Sequence, residues 1–491
     1  MDKLKNFVGK KEFRMLSIGA LGQGMIYGIM SSYISDFYLN ILKVTPVFVL
    51  LLMLLARVWD AVNDPIMGMI ADRVNPKRGK MKPYLLMTPV PIAFLTFLLF
   101  FAPNISPAAK MVYAAMTYVL WGMVYTMSDV PFWSLPNLMT ANPAERGRIF
   151  SIARTTNGIG SATPMIIFMV LGFVLPKTGL SGLELEKTKY IIIALFAAVL
   201  GNILFANTFF HVKERVNIPQ KKREKGEAGS LKLLFTNKPL VLVLIMGVLS
   251  CGRYMFQAGA IHVARYSFYI GPSLLGLGDQ DKEAILQASI SKVNTIFAAA
   301  TAVGMFGTML LIPKLIKRFN YKQLIIASCG IGFVSSMSIY FIGYNNFWAC
   351  VPFLVLSCVP AGVINVLSSA MIGDALDYME WKTGRRETGL GSACQSFVNK
   401  LGNAMATSFI VLMYIIVDLR LDTIGISYTV DPTLLAGSVR SGMFMIVSVI
   451  PAISLLLCAI PIFFYDLVGQ KRQTITDELQ QQRALKGISV D

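Results

Sequence analysis

The chain has 491 residues, 55% of them hydrophobic and only 15% charged, with a formal net charge of +18 and a mean hydropathy of +0.60. That balance excludes a water-soluble globular enzyme and fits a polytopic helical membrane protein. It also argues against nucleic-acid binding as the meaning of the positive charge, because much of the Lys and Arg falls in short loops between apolar runs.

The opening stretch, MDKLKNFVGKKEFRM, is charged for too long to be a cleaved signal peptide, so the first apolar run is expected to be a retained helix. Apolar segments follow near 13–40, 46–71, 83–102, 110–139, 149–175 and 190–212. A second set lies near 238–268, 288–315, 322–343, 347–374, 388–417 and 437–466. Each can span roughly 30 Å of hydrocarbon, which predicts an all-α membrane protein of about twelve transmembrane helices. The expected organisation is an N-terminal six-helix half (1–212), a basic linker (213–237), a C-terminal six-helix half (238–466) and a tail (467–491). The excess of Lys and Arg on alternate loops places both termini in the cytoplasm. The linker, with KERVNIPQKKREKGEAGS at Lys213–Ser230, reads as a flexible hinge, and a further role in binding anionic lipid stays open. The tail is expected to form a short polar helix. The six cysteines show no paired spacing and read as small buried hydrophobes, not as disulfides or a metal cluster.

Within the second apolar segment the chain carries ARVWDAVNDPIMGMIADRVNPKRGKMKPY, Ala56–Tyr84. A charge at membrane depth costs roughly 2.5–3.5 kcal/mol even on lenient insertion scales, so Asp60 and Asp64 are functional candidates. They stand at i and i+4 on one helical face, with Asn63 beside Asp64 and Arg57 one turn before Asp60. Three oxygen-bearing side chains on one stripe suit a small hard cation or a proton. The plainer alternative is an Arg57–Asp60 pair followed by a helix stop at Asp64-Pro65.

An internal repeat is also legible. DRVN at Asp72–Asn75 returns as KRFN at Lys317–Asn320; Asp129 and Asp374 share that offset, and Arg154 and Lys400 differ from it by one. Parallel repeats of this kind are the arrangement of major facilitator transporters, whose central ligand site lies between the halves near the midplane.

The helix-2 stretch, YTMSDVPFWSL at Tyr125–Leu135 and QSFVNKLGNA at Gln395–Ala404 together resemble motifs of the glycoside–pentoside–hexuronide:cation symporters, the family of melibiose permease. The resemblance runs the length of the chain. It implies uptake of a sugar driven by a Na⁺, Li⁺ or H⁺ gradient through alternating access, with no tightly bound cofactor and a functional monomer. Carried over residue by residue, it puts the coupling cation on Asp60, Asn63, Asp64 and Thr126. The sugar falls on Asp129 and Trp133 with Tyr125 of the same motif, on Arg154, and on Gln395, Ser396 and Lys400. Carboxylate, amide and hydroxyl oxygens together lean toward Na⁺, whereas a proton needs a single carboxylate. The loop Asp72–Lys82 resembles a facilitator signature in which Asp72 and Arg73 gate one access state. Arg385 and Arg386, within Asp374–Glu387, are the counterpart, and ordinary solvated loop charge is the alternative for both.

The departures limit what can be carried over. Gln23-Gly24 stands where a melibiose-type permease has Lys-Asp, and Ser368-Ser369 where a Trp is expected, so galactoside specificity is not implied. The seventh segment adds Arg253, His262 and Arg265. His262 and Arg265 are expected to snorkel or face water; Arg253 sits deeper, where it suits an anionic sugar such as a hexuronide. A sodium-coupled lysophospholipid carrier on the same fold is the second reading. An enzyme is not expected, since His211 and His262 are the only histidines and neither belongs to an HExxH motif.

Overall fold

A computed structural model describes residues 8–73, 79, 81–140, 143–215, 235–383, 388–419 and 431–485. Among these, the regular structure is helical throughout. The first part holds α1 (Lys10–Asp36), α2 (Pro46–Arg73), α3 (Lys82–Met87), α4 (Pro89–Leu99), α5 (Pro107–Met139), α6 (Pro143–Val174) and α7 (Gly182–His211). The second holds α8 (Lys238–Leu249), α9 (Gly252–Ala258), α10 (Ala260–Tyr266), α11 (Asp279–Leu315), α12 (Tyr321–Ile342), α13 (Phe347–Ser357), α14 (Val359–Thr383), α15 (Thr388–Ile416), α16 (Gly437–Phe444), α17 (Val449–Phe463) and α18 (Gly469–Leu485). Several predicted spans are therefore broken rods: α3 and α4 share one, α8 to α10 another, α13 and α14 a third. Among the described residues, seven helical stretches are individually long and apolar enough to cross a membrane.

The chain clusters into two compact units. The first comprises 1–220 together with 269–295 and 414–435; the second comprises 221–268, 296–413 and 436–491. Most of the linker predicted as a hinge, residues 216–234, lies outside the described residues. Its first residues are tied down: the Glu214 carboxylate accepts from the backbone N–H groups of Met81 and Lys82, both at 2.9 Å. Arg215 pairs with Glu12 at 2.7 Å.

In the first unit α1 packs along α6 and α7, and glycines set the distance. A Cβ on Gly24 would stand 2.0 Å from the Asn157 carbonyl oxygen, and one on Gly160 would stand 2.1 Å from that of Leu21. Close approach of small residues is how helices associate where lipid removes the hydrophobic incentive. Gly160→Val is accordingly expected to force α1 and α6 apart at a cost of about 1–3 kcal/mol. The check is the melting temperature in detergent, against Gly330→Val as a control, since a Cβ there meets nothing within 4 Å.

The core of the second unit is built from Leu240, Val243 and Met246 of α8, Ile325 and Cys329 of α12, Ile364, Leu367 and Met371 of α14, and Leu455 and Cys458 of α17. All six cysteines are buried and free. The tail helix α18 is docked, not loose. Ile475 and Leu479 are buried, Arg472 pairs with Asp374 at 2.8 Å and lies 4.6 Å above the Tyr321 ring, and Trp381 donates to Glu478 at 2.7 Å. One expectation is corrected: His262 and Arg265 are buried, at 0% and 3% exposure, and face protein and not water. Both sit on α10, a helix of about two turns in which all seven residues from Ala260 to Tyr266 are buried.

Candidate functional site

In the first unit the predicted sugar residues of α5 and α6 meet. Two prolines, Pro131 and Pro136, interrupt the α5 interior and remove backbone donors where the polar motif lies. The Asp129 carboxylate accepts from the Gln23 amide of α1 at 2.8 Å. One helical turn on, the Arg154 guanidinium of α6 lies 3.8 Å over the Trp133 ring. One turn back, Tyr125 stacks on Trp121 at 4.8 Å and meets Tyr27 of α1 at 5.6 Å. A carboxylate beside an indole, flanked by a guanidinium, offers acceptors and donors for vicinal hydroxyls and a flat face for a pyranose.

Next to this group stands the α2–α5 contact. Asp60 points at α5: its Oδ1 is 3.7 Å from where a Gly122 Cβ would be. Thr126, one turn further along α5, is 1% exposed. Asn63 has its amide nitrogen buried without a hydrogen-bond partner. The two ends of an amide are alike in shape, so a flip of Asn63 presents its oxygen to a cation. Asp64 lies on α2, and its side chain falls outside the described residues, as do those of Asp72 and Arg73. Arg385 and Arg386 lie outside the described residues altogether.

The second unit gathers a different polar cluster. Between α8 and α9 the helix breaks, and the Ser454 hydroxyl spans the gap, accepting from the Gly252 N–H at 2.7 Å and donating to the Leu249 carbonyl at 2.6 Å. The break delivers Arg253, 4% exposed, into a ring of neutral groups. Its guanidinium donates to Asn365 at 3.0 Å, to the Tyr254 hydroxyl at 2.7 Å and to Asn399 at 3.4 Å. Nε stays buried without a partner, and so do the oxygens of Ser368 and Gln395. Ser396 and the half-buried Lys400 follow on α15. Among the described residues no carboxylate pairs with Arg253.

Sequence reasoning missed Tyr27, Tyr254, Asn365 and Asn399, and read Gln23 only as a departure from the family pattern, not as the partner of Asp129. Gln23 was visible as a lone amide within the glycine-rich GALGQGMIYG, and Asn399 sits directly before Lys400. Asn365 and Tyr254 carried no signal, since single polar residues in apolar helices look alike until the neighbours are known.

Broken helices with ionisable and amide side chains buried among apolar spans define a multi-pass membrane carrier of the major facilitator fold. A solved structure of a mutant of the nucleoside transporter NupG has that fold: it aligns with a TM-score of 0.60 at 12% identity over 93% of this chain and all of that one. The family profile described as MFS/sugar transport protein matches residues 15–269 and 285–469. The chain belongs to that family of sugar transporters. Similar proteins include the uncharacterized symporter YjmB of Bacillus subtilis, 27% identical over 96% of this chain and 95% of that protein. The isoprimeverose transporter of Lactiplantibacillus pentosus is 26% identical over 81% of this chain and 78% of its own length. The glucuronide carrier protein homolog of Escherichia coli is 23% identical over 96% and 95%.

Proposed function

We propose that this protein imports a sugar or glycoside together with Na⁺ or H⁺, by alternating access of the halves 1–212 and 238–466 joined by the linker 213–237. The observation that carries the reading is the Gln23–Asp129 pair beside the Arg154–Trp133 stack, with Asp60 of α2 set against the same α5 at Gly122. Asp60, Asn63, Asp64 and Thr126 hold the coupling cation. Asp129, Trp133, Arg154 and Tyr125 bind the sugar from one half, and Gln395, Ser396 and Lys400 from the other. Asp72 and Arg73, with Arg385 and Arg386, gate the cytoplasmic side. The chain works as a monomer in the cell membrane with both termini in the cytoplasm. A lysophospholipid carrier is not favoured, because the family is one of sugar transport and the isoprimeverose and glucuronide relatives are named for sugars or their acids.

The test is ligand-induced thermal stabilisation of the purified protein, screening neutral glycosides, pentosides, hexuronides and lysolipids with and without Na⁺ at fixed pH. A sugar hit enhanced by Na⁺ supports sodium symport; one indifferent to Na⁺ and sensitive to pH supports proton coupling. Stabilisation by lysolipids alone overturns the sugar reading.

The Arg253 ring favours an anionic substituent. A buried guanidinium whose partners are all neutral is positioned to accept a carboxylate, and such charge-assisted pairs are about twice as strong as neutral hydrogen bonds. Arg253→Met is expected to weaken hexuronide binding by about 10-fold to 100-fold, the worth of roughly 1.5–3 kcal/mol for a charged hydrogen bond. Neutral glycosides should be far less affected. Equal losses for both would assign Arg253 to structure.

A further inference from the structure

We infer that Glu186, Lys189 and Gln287 form a buried external latch that must open in each transport cycle, an inference that rests on the alternating-access reading above. All three are completely buried. Lys189 donates to Glu186 at 3.0 Å and to Gln287 at 2.8 Å, and its ammonium lies 4.2 Å over the Phe168 ring. Gln287 in turn donates to Glu186. The three groups thus bond in a closed triangle, with α7 giving the ion pair and α11 the amide that bridges it.

The triangle belongs to a wider layer. Asn294 of α11 donates to the Tyr33 hydroxyl of α1 at 2.8 Å. Tyr190 of α7 donates to Asp36 of α1, and Asn40 donates both to Asp36 at 2.8 Å and to the Tyr414 hydroxyl of α15 at 3.2 Å. A Cβ on Gly172 of α6 would lie 1.6 Å from the Ser291 hydroxyl oxygen of α11, so the Ser291 side chain packs directly on the bare backbone of α6. In this way 269–295 and 414–435, which follow the linker in sequence, cluster with the first 220 residues. With the N-terminus in the cytoplasm, the C-terminal ends of α1 and α15 and the N-terminal ends of α7 and α11 all fall on the external side.

Rocking of the halves 1–212 and 238–466 cannot leave this layer intact, since its partners come from both. The choice of groups suits a latch. An ion pair sealed from water is held strongly while its geometry is good, yet each charge regains solvation once water enters, so the open state is not penalised as an apolar seam would be. A bridging amide adds direction without adding net charge. Removing one member takes a partner from a buried charge, or the bridge from the pair, and both changes favour the open layer.

The experiment uses the full chain in right-side-out cells with Ser291→Cys as a reporter, buried at 0% exposure in a protein whose native cysteines are all buried. A membrane-impermeant maleimide is added outside. Lys189→Met is expected to speed labelling by about tenfold or more, the mark of a shifted two-state equilibrium. Gln287→Leu, which keeps the ion pair and so folds more safely, should speed it by a smaller factor and carries the test if Lys189→Met fails to reach the membrane. Unchanged rates in a membrane-inserted variant overturn the latch, as does an acceleration seen only when the reagent is given to inverted vesicles, whose cytoplasmic face is outward. Sugar uptake is measured alongside on the unmutated chain. Faster labelling with no uptake of any sugar leaves the latch and removes the sugar reading; uptake with unchanged labelling does the reverse.

Discussion

Asp64→Cys is expected to abolish gradient-driven uptake, lowering sugar accumulation by on the order of 100-fold or more, about 3 kcal/mol of lost coupling. Either coupling ion needs an anionic oxygen at membrane depth. On the proposed reading Asp60 and Asp64, four residues apart on α2, supply two; Asp60 stands against α5 at Gly122, one turn from the buried Thr126 hydroxyl. Thiol sulfur is a poor ligand for a hard cation and carries no charge unless ionised, so one substitution removes both the charge and the donor type. The measurement is accumulation of labelled sugar in vesicles under imposed Na⁺ and H⁺ gradients, with equilibrium exchange beside it. Exchange that survives while accumulation is lost identifies an uncoupled carrier. Normal concentrative uptake would take the cation site off α2.

Asp129→Asn is expected to weaken sugar binding by about 10-fold to 100-fold with little change in melting temperature, since a hydrogen bond to a charged group is worth roughly 1.5–3 kcal/mol. Asparagine keeps the shape and one acceptor, so the contact from Gln23 at 2.8 Å can persist. What is lost is the acceptor-only carboxylate that, in the proposed site, accepts hydrogen bonds from two adjacent hydroxyls. Binding by calorimetry or thermal shift checks this, and an unaltered affinity would place the sugar elsewhere than α5.

The class of fold was legible because hydropathy alone dictates it: long apolar runs must become helices when lipid offers their backbone no partner. What the runs concealed was their interruption. Ser250 and Cys251 are small and common in apolar helices, and only the Ser454 hydroxyl, two hundred residues away, shows why the helix can break there. The α5 and α6 residues were readable because aspartate, tryptophan and arginine are conspicuous inside an apolar run. Gln23 was noticed as a departure and not as the partner of Asp129, since which residues face one another depends on helix rotation, which no single segment determines. The same holds for Glu186 and Gln287. Each looks like a residue of a solvated helix end in the sequence, and packing alone buries them.

The docking of α18 bears on how the protein is made. Asp374 lies on α14, and its partner Arg472 is translated about a hundred residues later. Until then a half-enclosed carboxylate and the seat of Ile475 and Leu479 stand uncovered. At ordinary elongation rates of about 5–20 residues per second, that interval lasts several seconds. The second unit can therefore finish folding only once α18 has emerged from the ribosome. A nonsense mutation at the start of α18 would yield a chain that inserts normally, then lingers as a target for membrane proteases.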